Sequence, residues 1–272
     1  MLKLTVVTLR ALVIGMVSVC GLHAAVPKSA YYPFPGADLR RVRAISEAER
    51  IGDSSELFLA WKMYGELQNS WAPGAPKPSA QTISNLDNLK AKLEALPKPL
   101  WFQEALNASG PPSASTLFPA KVGDAIFLDQ ADSAAFQAQK ALAIVYLTEH
   151  EIDRPSGANN AGLYLTLLSL KHPWDWEVHA LFARLLGDAG IHDAAFHEAV
   201  LSIYLNPSPS DSDLQYFAFI AAGNKKDQWS AVQDIIRDVA KDHRAAHVAI
   251  ERASPLFEST VASESVPPKT LH

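Results

Sequence analysis

Residues 176–207 read WEVHALFARLLGDAGIHDAAFHEAVLSIYLNP. The stretch predicts two helices joined by a tight turn. The first runs over about 175–186, residues 187–193 turn the chain, and the second ends near 204. Two small residues set the pairing. Ala183 in the first helix and Ala195 in the second stand where the backbones must come close. Gly190 permits a backbone turn that a Cβ would crowd. Asn206 and Pro207 end the hairpin, because the residue before a proline is pushed out of the helical region.

Upstream, the same punctuation recurs. Ala161 precedes Pro173 by twelve residues, as Ala195 precedes Pro207, and the two pairs are offset by thirty-four. Leu167 and Leu201 share the register. A thirty-four-residue period built from two helices is the tetratricopeptide length, and the segment 176–207 resembles that family. The resemblance is good over this repeat, fair over the one before and weak over the one after. The family often carries an aromatic residue four places after the second-helix alanine; here those places hold Ala199 and Leu165. In the earlier unit, residues 134–148 form the first helix and a long turn, 149–158, follows. The later unit, about 213–241, keeps Gly223 near the expected turn but has Trp229 where alanine is expected. A non-repetitive helical bundle is the competing reading, and either is all-α.

The N-terminal half is helical with irregular loops. Leu39, Val42, Ile45 and Ala48 share one helical face, and Leu57, Trp61, Tyr64 and Leu67 share another. With Gly52 ending the first helix, and Asp53 capping the second while Glu56 reaches back, these predict a hairpin. Residues 70–81 are a Pro- and Gly-rich loop. Leu86, Leu89, Leu93 and Leu96 stripe a helix over 84–96, which Pro97 stops. Residues 107–121 are irregular. No run of alternating β-branched residues appears.

The first 25 residues have the order of a secretory signal peptide: Lys3 and Arg10, an apolar run over 11–19, then Ala24 and Ala25. Cleavage there predicts an exported chain, periplasmic or extracellular, with no stable membrane span. Retention by an N-terminal anchor and lipidation of Cys20 are the competing fates. The organisation expected is thus a signal (1–25), a helical region with loops (26–130), a repeat domain (131–253) and a disordered tail (254–272).

Lys and Arg number 24 against 29 Asp and Glu, a formal net charge of −5. This leaves no basic surplus for nucleic acid. The single cysteine, Cys20, lies in the signal, which removes thiol chemistry from the mature chain. No nucleophile-elbow, phosphate-loop or dinucleotide motif occurs, so no catalytic residue, metal or cofactor is expected. His243 and His247 lie four apart on one helical face, but no H-E-x-x-H motif accompanies them. His192 and His197 read as solvated. Trp174 and Trp176 read either as packing between hairpins or as an aromatic anchor.

The tetratricopeptide resemblance implies a short α-solenoid whose first helices line a concave groove for a protein or an extended peptide. Carried onto this chain, the groove positions are Glu177, Arg184 and Asp188, with Tyr216 in the next unit. Arg184 is the strongest candidate, because a guanidinium can hold a carboxylate through two parallel bonds. Glu177 and Asp188, seven before and four after it, are also placed to pair with Arg184. The function expected is an exported scaffold for an envelope, secretion or surface-polymer export complex. The alternative is a helical enzyme or metal-binding protein with its site in the N-terminal half.

Overall fold

The computed structural model describes residues 31–34, 38–48, 50, 52, 54–68, 78–107, 130–154, 156–224 and 228–264. The expected signal peptide and nearly all of the irregular stretch 107–121 lie outside them. The described residues are all-helical, with no strand among them. In chain order the helices are α1 (Leu39–Ala48), α2 (Ser55–Gln68), α3 (Ala80–Glu94), α4 (Leu100–Asn107), α5 (Gln130–Glu151), α6 (Gly157–Lys171), α7 (Trp176–Asp188), α8 (His192–Leu205), α9 (Asp211–Asn224), α10 (Trp229–Val239) and α11 (His243–Glu264).

The C-terminal half is a series in which each helix packs on the next: α5 on α6, α6 on α7, α7 on α8, α8 on α9. The pairs α5–α6 and α7–α8 make the most extensive contacts. Polar caps start α7 and α9. Asp175 accepts the Val178 N–H at 3.0 Å to open α7. Ser210 and Asp213 exchange side-chain-to-backbone bonds to open α9. The turn from α7 to α8 passes through Gly190 at φ +71°, the left-handed region that glycine enters without a Cβ penalty. Leu167, Ala183, Leu186, Ala195 and Leu201 are all buried, as the repeat pattern predicts.

The turn from α5 to α6 is tighter than the sequence implies. Helix α5 runs three residues past 148, and α6 starts at Gly157. Asp153 and Ser156 both take positive φ there. Residues 141–149 are buried on every side, because α5 is in contact with α2, α3, α6 and α7. A helix apolar all round is the sequence mark of such a central position.

The segment expected as a further unit, about 213–241, departs from the hairpin pattern. Gly223 lies inside the last turn of α9 rather than at a bend, and α9 packs more extensively on α11 than on α10. Small residues explain the preference. Ala218, Ala221 and Ala222 of α9 and Ala245, Ala246, Ala249 and Ala253 of α11 are buried, so the two backbones can approach closely. Helix α11 continues through Pro255 to Glu264. The tail expected to be disordered from 254 is therefore helical to 264, and 265–272 lie outside the described residues.

The hairpin expected at Gly52 does not form. Helix α1 packs on α8, and α2 packs on α5. The lead-in to α1 explains the separation: Tyr31 meets Phe196, Tyr32 meets Tyr204, and Phe34 stacks on Trp174 with ring centroids 5.7 Å apart. These rings anchor the lead-in to α8 and to the link before α7. The chain then crosses over, with Gln137 of α5 donating to the Gly52 carbonyl, and α2 buries Leu57, Ala60, Met63 and Tyr64. The cap of α2 is Ser54, which accepts the Leu57 N–H at 3.1 Å, while Glu56 turns away to Lys92 at 2.7 Å. Asp53 lies outside the described residues. Helix α3 begins at Ala80 on a Ser79 cap, four residues before the expected start. Helix α4 was not expected; its Phe102 is buried against Tyr164 of α6.

Candidate partner-binding site

Arg184 lies midway along α7, partly buried between neighbouring helices. Its Nε donates to Glu151 Oε1 of α5 at 2.8 Å. Its guanidinium sits over the Tyr64 ring of α2, 5.7 Å from the centroid. Asp188, one turn on in α7, is 3.9 Å away. Tyr216 of α9 completes the group, near enough to Arg184, Tyr64, Asp188 and Glu151 for their charges to act on its hydroxyl. Three of the four expected residues, Arg184, Asp188 and Tyr216, thus come together between α7 and α9.

The electrostatics are set by burial and by two carboxylates sharing one guanidinium. Burial opposes the Arg184 charge, but Tyr64, Glu151 and Asp188 outweigh it and hold its pKa above the usual arginine value. Glu151 is pushed above the usual carboxylate range, because burial outweighs the help from Arg184. The Tyr216 hydroxyl is raised by burial above all. It is buried and has no hydrogen-bond partner among the described residues, so the expectation of an exposed Tyr216 is corrected. The physical cause is α2, whose Tyr64 reaches Arg184 and covers this part of the face. What stays open is the rim: Asp188, with 43% of its side chain exposed, and Phe219 of α9, 60% exposed and one turn beyond Tyr216.

Glu177 belongs elsewhere. It pairs at 2.5 Å with Lys140 of α5, which also bonds both Asp175 oxygens at 3.0 and 2.8 Å. The expected pairing of Glu177 with Arg184 is therefore replaced by a buried ion-pair cluster at the start of α7. Burial opposes the Lys140 charge, yet Asp175 and Glu177 together raise its pKa, so the ammonium is held protonated. That suits it to tie α5 to α7, not to act as a nucleophilic amine. Trp174 beside it is buried under Phe34, which settles its role as packing against the lead-in.

Sequence reasoning missed Tyr64 and Glu151. Tyr64 was legible only as a core position of a helix, and Glu151 fell in what reads as a long turn. His243 and His247 are exposed on α11, and His192 and His197 are exposed at the start of α8. Among the described residues no group of three His, Cys, Asp or Glu side chains is placed to hold a metal ion. No described helix is long and apolar enough to cross a membrane. No family model matches the chain, and no curated protein or solved structure is similar to it at a significant level.

Proposed function

We propose that the protein is an exported scaffold, a short tetratricopeptide-like α-solenoid that holds a protein or extended peptide against the first helices of its units. The reading rests on one observation: Arg184, Asp188 and Tyr216 converge between α7 and α9, and the exposed Phe219 follows one turn beyond Tyr216 on α9. Interface centres are enriched in aromatic side chains and arginine, with polar and charged groups around them at the rim. Because α2 covers the Arg184 end, the partner engages the rim that Asp188 and Phe219 define, and Arg184 holds that rim in place. Export and a role in an envelope, secretion or surface-polymer complex rest on the signal-like first 25 residues.

Site-specific photocrosslinking tests the reading. A photoreactive side chain at position 219 should capture a partner from an envelope extract, while the same group at Arg237, exposed on α10, should not. Equal capture at both positions, or at neither, would remove the first-helix rim from the function.

A further inference from the structure

A groove of about 420 Å³ opens between α2 and α3, away from the Arg184 cluster. That volume is within the range of about 300–1,000 Å³ seen for ligand pockets. Its two walls differ. On the α2 side stand Leu59, 40% exposed, and Met63, with Leu89 of α3 at the base. On the α3 side stand Asn85, Asn88 and Lys92. Spaced by three and four residues, these make one stripe along a helix, with neighbours about 5–6 Å apart. The Asn85 oxygen accepts from Gln81 Nε2 at 2.8 Å, which leaves its amide hydrogens to donate. Asn88 makes no side-chain hydrogen bond among the described residues. The charges at one end cancel, for Lys92 pairs with Glu56 at 2.7 Å.

We propose that this groove is a second binding site, independent of the first-helix rim, for an extended, uncharged peptide segment carrying one aliphatic side chain. Complementarity selects that occupant. A carboxamide offers a donor and an acceptor, the same pair that a peptide unit offers. Alternate peptide units on one edge of an extended chain repeat about every 6.6 Å, close to the separation of Asn85 and Asn88. The opposite wall presents Leu59 and Met63, with Ser55 and Glu56 at its end, and its apolar part takes a side chain of the alternate residue. A charged segment would gain nothing, because the groove's own charges are already matched. A partner helix, with its backbone groups satisfied internally, would leave the carboxamides without partners.

The test uses the full isotope-labelled chain and a capped pentapeptide of four alanines around a central leucine. NMR titration should move the Asn85 and Asn88 carboxamide signals together with the Leu59 and Met63 methyl signals. Asn88→Ala should weaken the peptide about tenfold, and so should methylation of the peptide's backbone nitrogens. Asn88 is exposed on a helix and alanine is the better helix former, so the variant folds, which circular dichroism checks. Leu59→Glu should weaken the peptide by a similar factor through the other wall. The proposal is overturned if millimolar peptide leaves these signals still. Equal binding of the methylated peptide, or signals that move with protein concentration alone because a second copy fills the groove, would overturn it too.

Discussion

Arg184 Nε lies 2.8 Å from Glu151 Oε1, so α7 is bonded to α5, two helices earlier in the chain. The sequence invites an exposed arginine whose loss is harmless to stability. The structure instead places it between Glu151, Asp188 and the Tyr64 ring. Arg184→Ala should lower stability by about 1–3 kcal/mol, since it leaves the largely buried Glu151 carboxylate short of its donor. Urea unfolding of the two single variants and of the double variant with Glu151→Ala measures the coupling. An additive double variant would show that the pair contributes nothing.

Gly157 packs against the end of α5 so closely that a Cβ would come within 2.4 Å of the His150 backbone nitrogen. Gly157→Ala should therefore destabilise the α5–α6 pair by more than about 1 kcal/mol, although alanine favours helix. Gly65 in α2 is the control, because a Cβ there meets nothing within 4 Å. Gly65→Ala should raise stability by up to about 1 kcal/mol. Thermal melts of both variants check the opposite signs.

Ala195 is wholly buried where α8 meets α7. Ala195→Trp should overpack that contact and cost about 1–3 kcal/mol or more. A melting temperature equal to that of the parent would mean that the two helices do not approach as closely as the structure has them.

His179 is buried, with Nδ1 2.6 Å from Glu198 and Nε2 2.9 Å from the Pro173 carbonyl. Two acceptors call for two ring protons, hence for imidazolium. Burial works against the charge, but Glu198 and the carbonyl prevail and raise the pKa. A histidine whose folded pKa exceeds its unfolded value adds stability that is complete below the unfolded pKa, about 6.5. The contribution is lost as pH rises through the folded pKa. Stability should accordingly fall as pH rises above the unfolded pKa of about 6.5, and less steeply in Glu198→Gln. Parallel slopes for the two proteins would place the titration elsewhere.

The C-terminal hairpins were legible because small residues and turn residues carry local information. Ala183, Ala195 and Gly190 need no distant partner to make sense. The N-terminal half was not, for the opposite reason. The face of α1 and the face of α2 each read correctly as helical, but nothing in their spacing tells that one packs on α8 and the other on α5. That choice is made by the rings of Tyr31, Tyr32 and Phe34, more than a hundred residues from their partners in sequence. The candidate site divides the same way. Arg184, Asp188 and Tyr216 follow from the repeat register, while Tyr64 and Glu151 enter through tertiary packing. Glu177 shares the register but is drawn off by Lys140, which the register does not show.

The measurement closest to the central claim is the affinity of a captured partner for two charge-reversed chains. Asp188→Lys alters the open rim of the first helices, and Arg237→Glu alters the exposed face of α10. Arg237→Glu should melt close to the parent, whereas Asp188→Lys sets a cation one turn from Arg184 and should melt lower, so affinities are compared at a temperature where both chains are folded. The scaffold account predicts at least a tenfold loss of affinity, about 1.4 kcal/mol, for Asp188→Lys and none for Arg237→Glu. Unchanged affinity in Asp188→Lys, or a loss confined to Arg237→Glu, would contradict it.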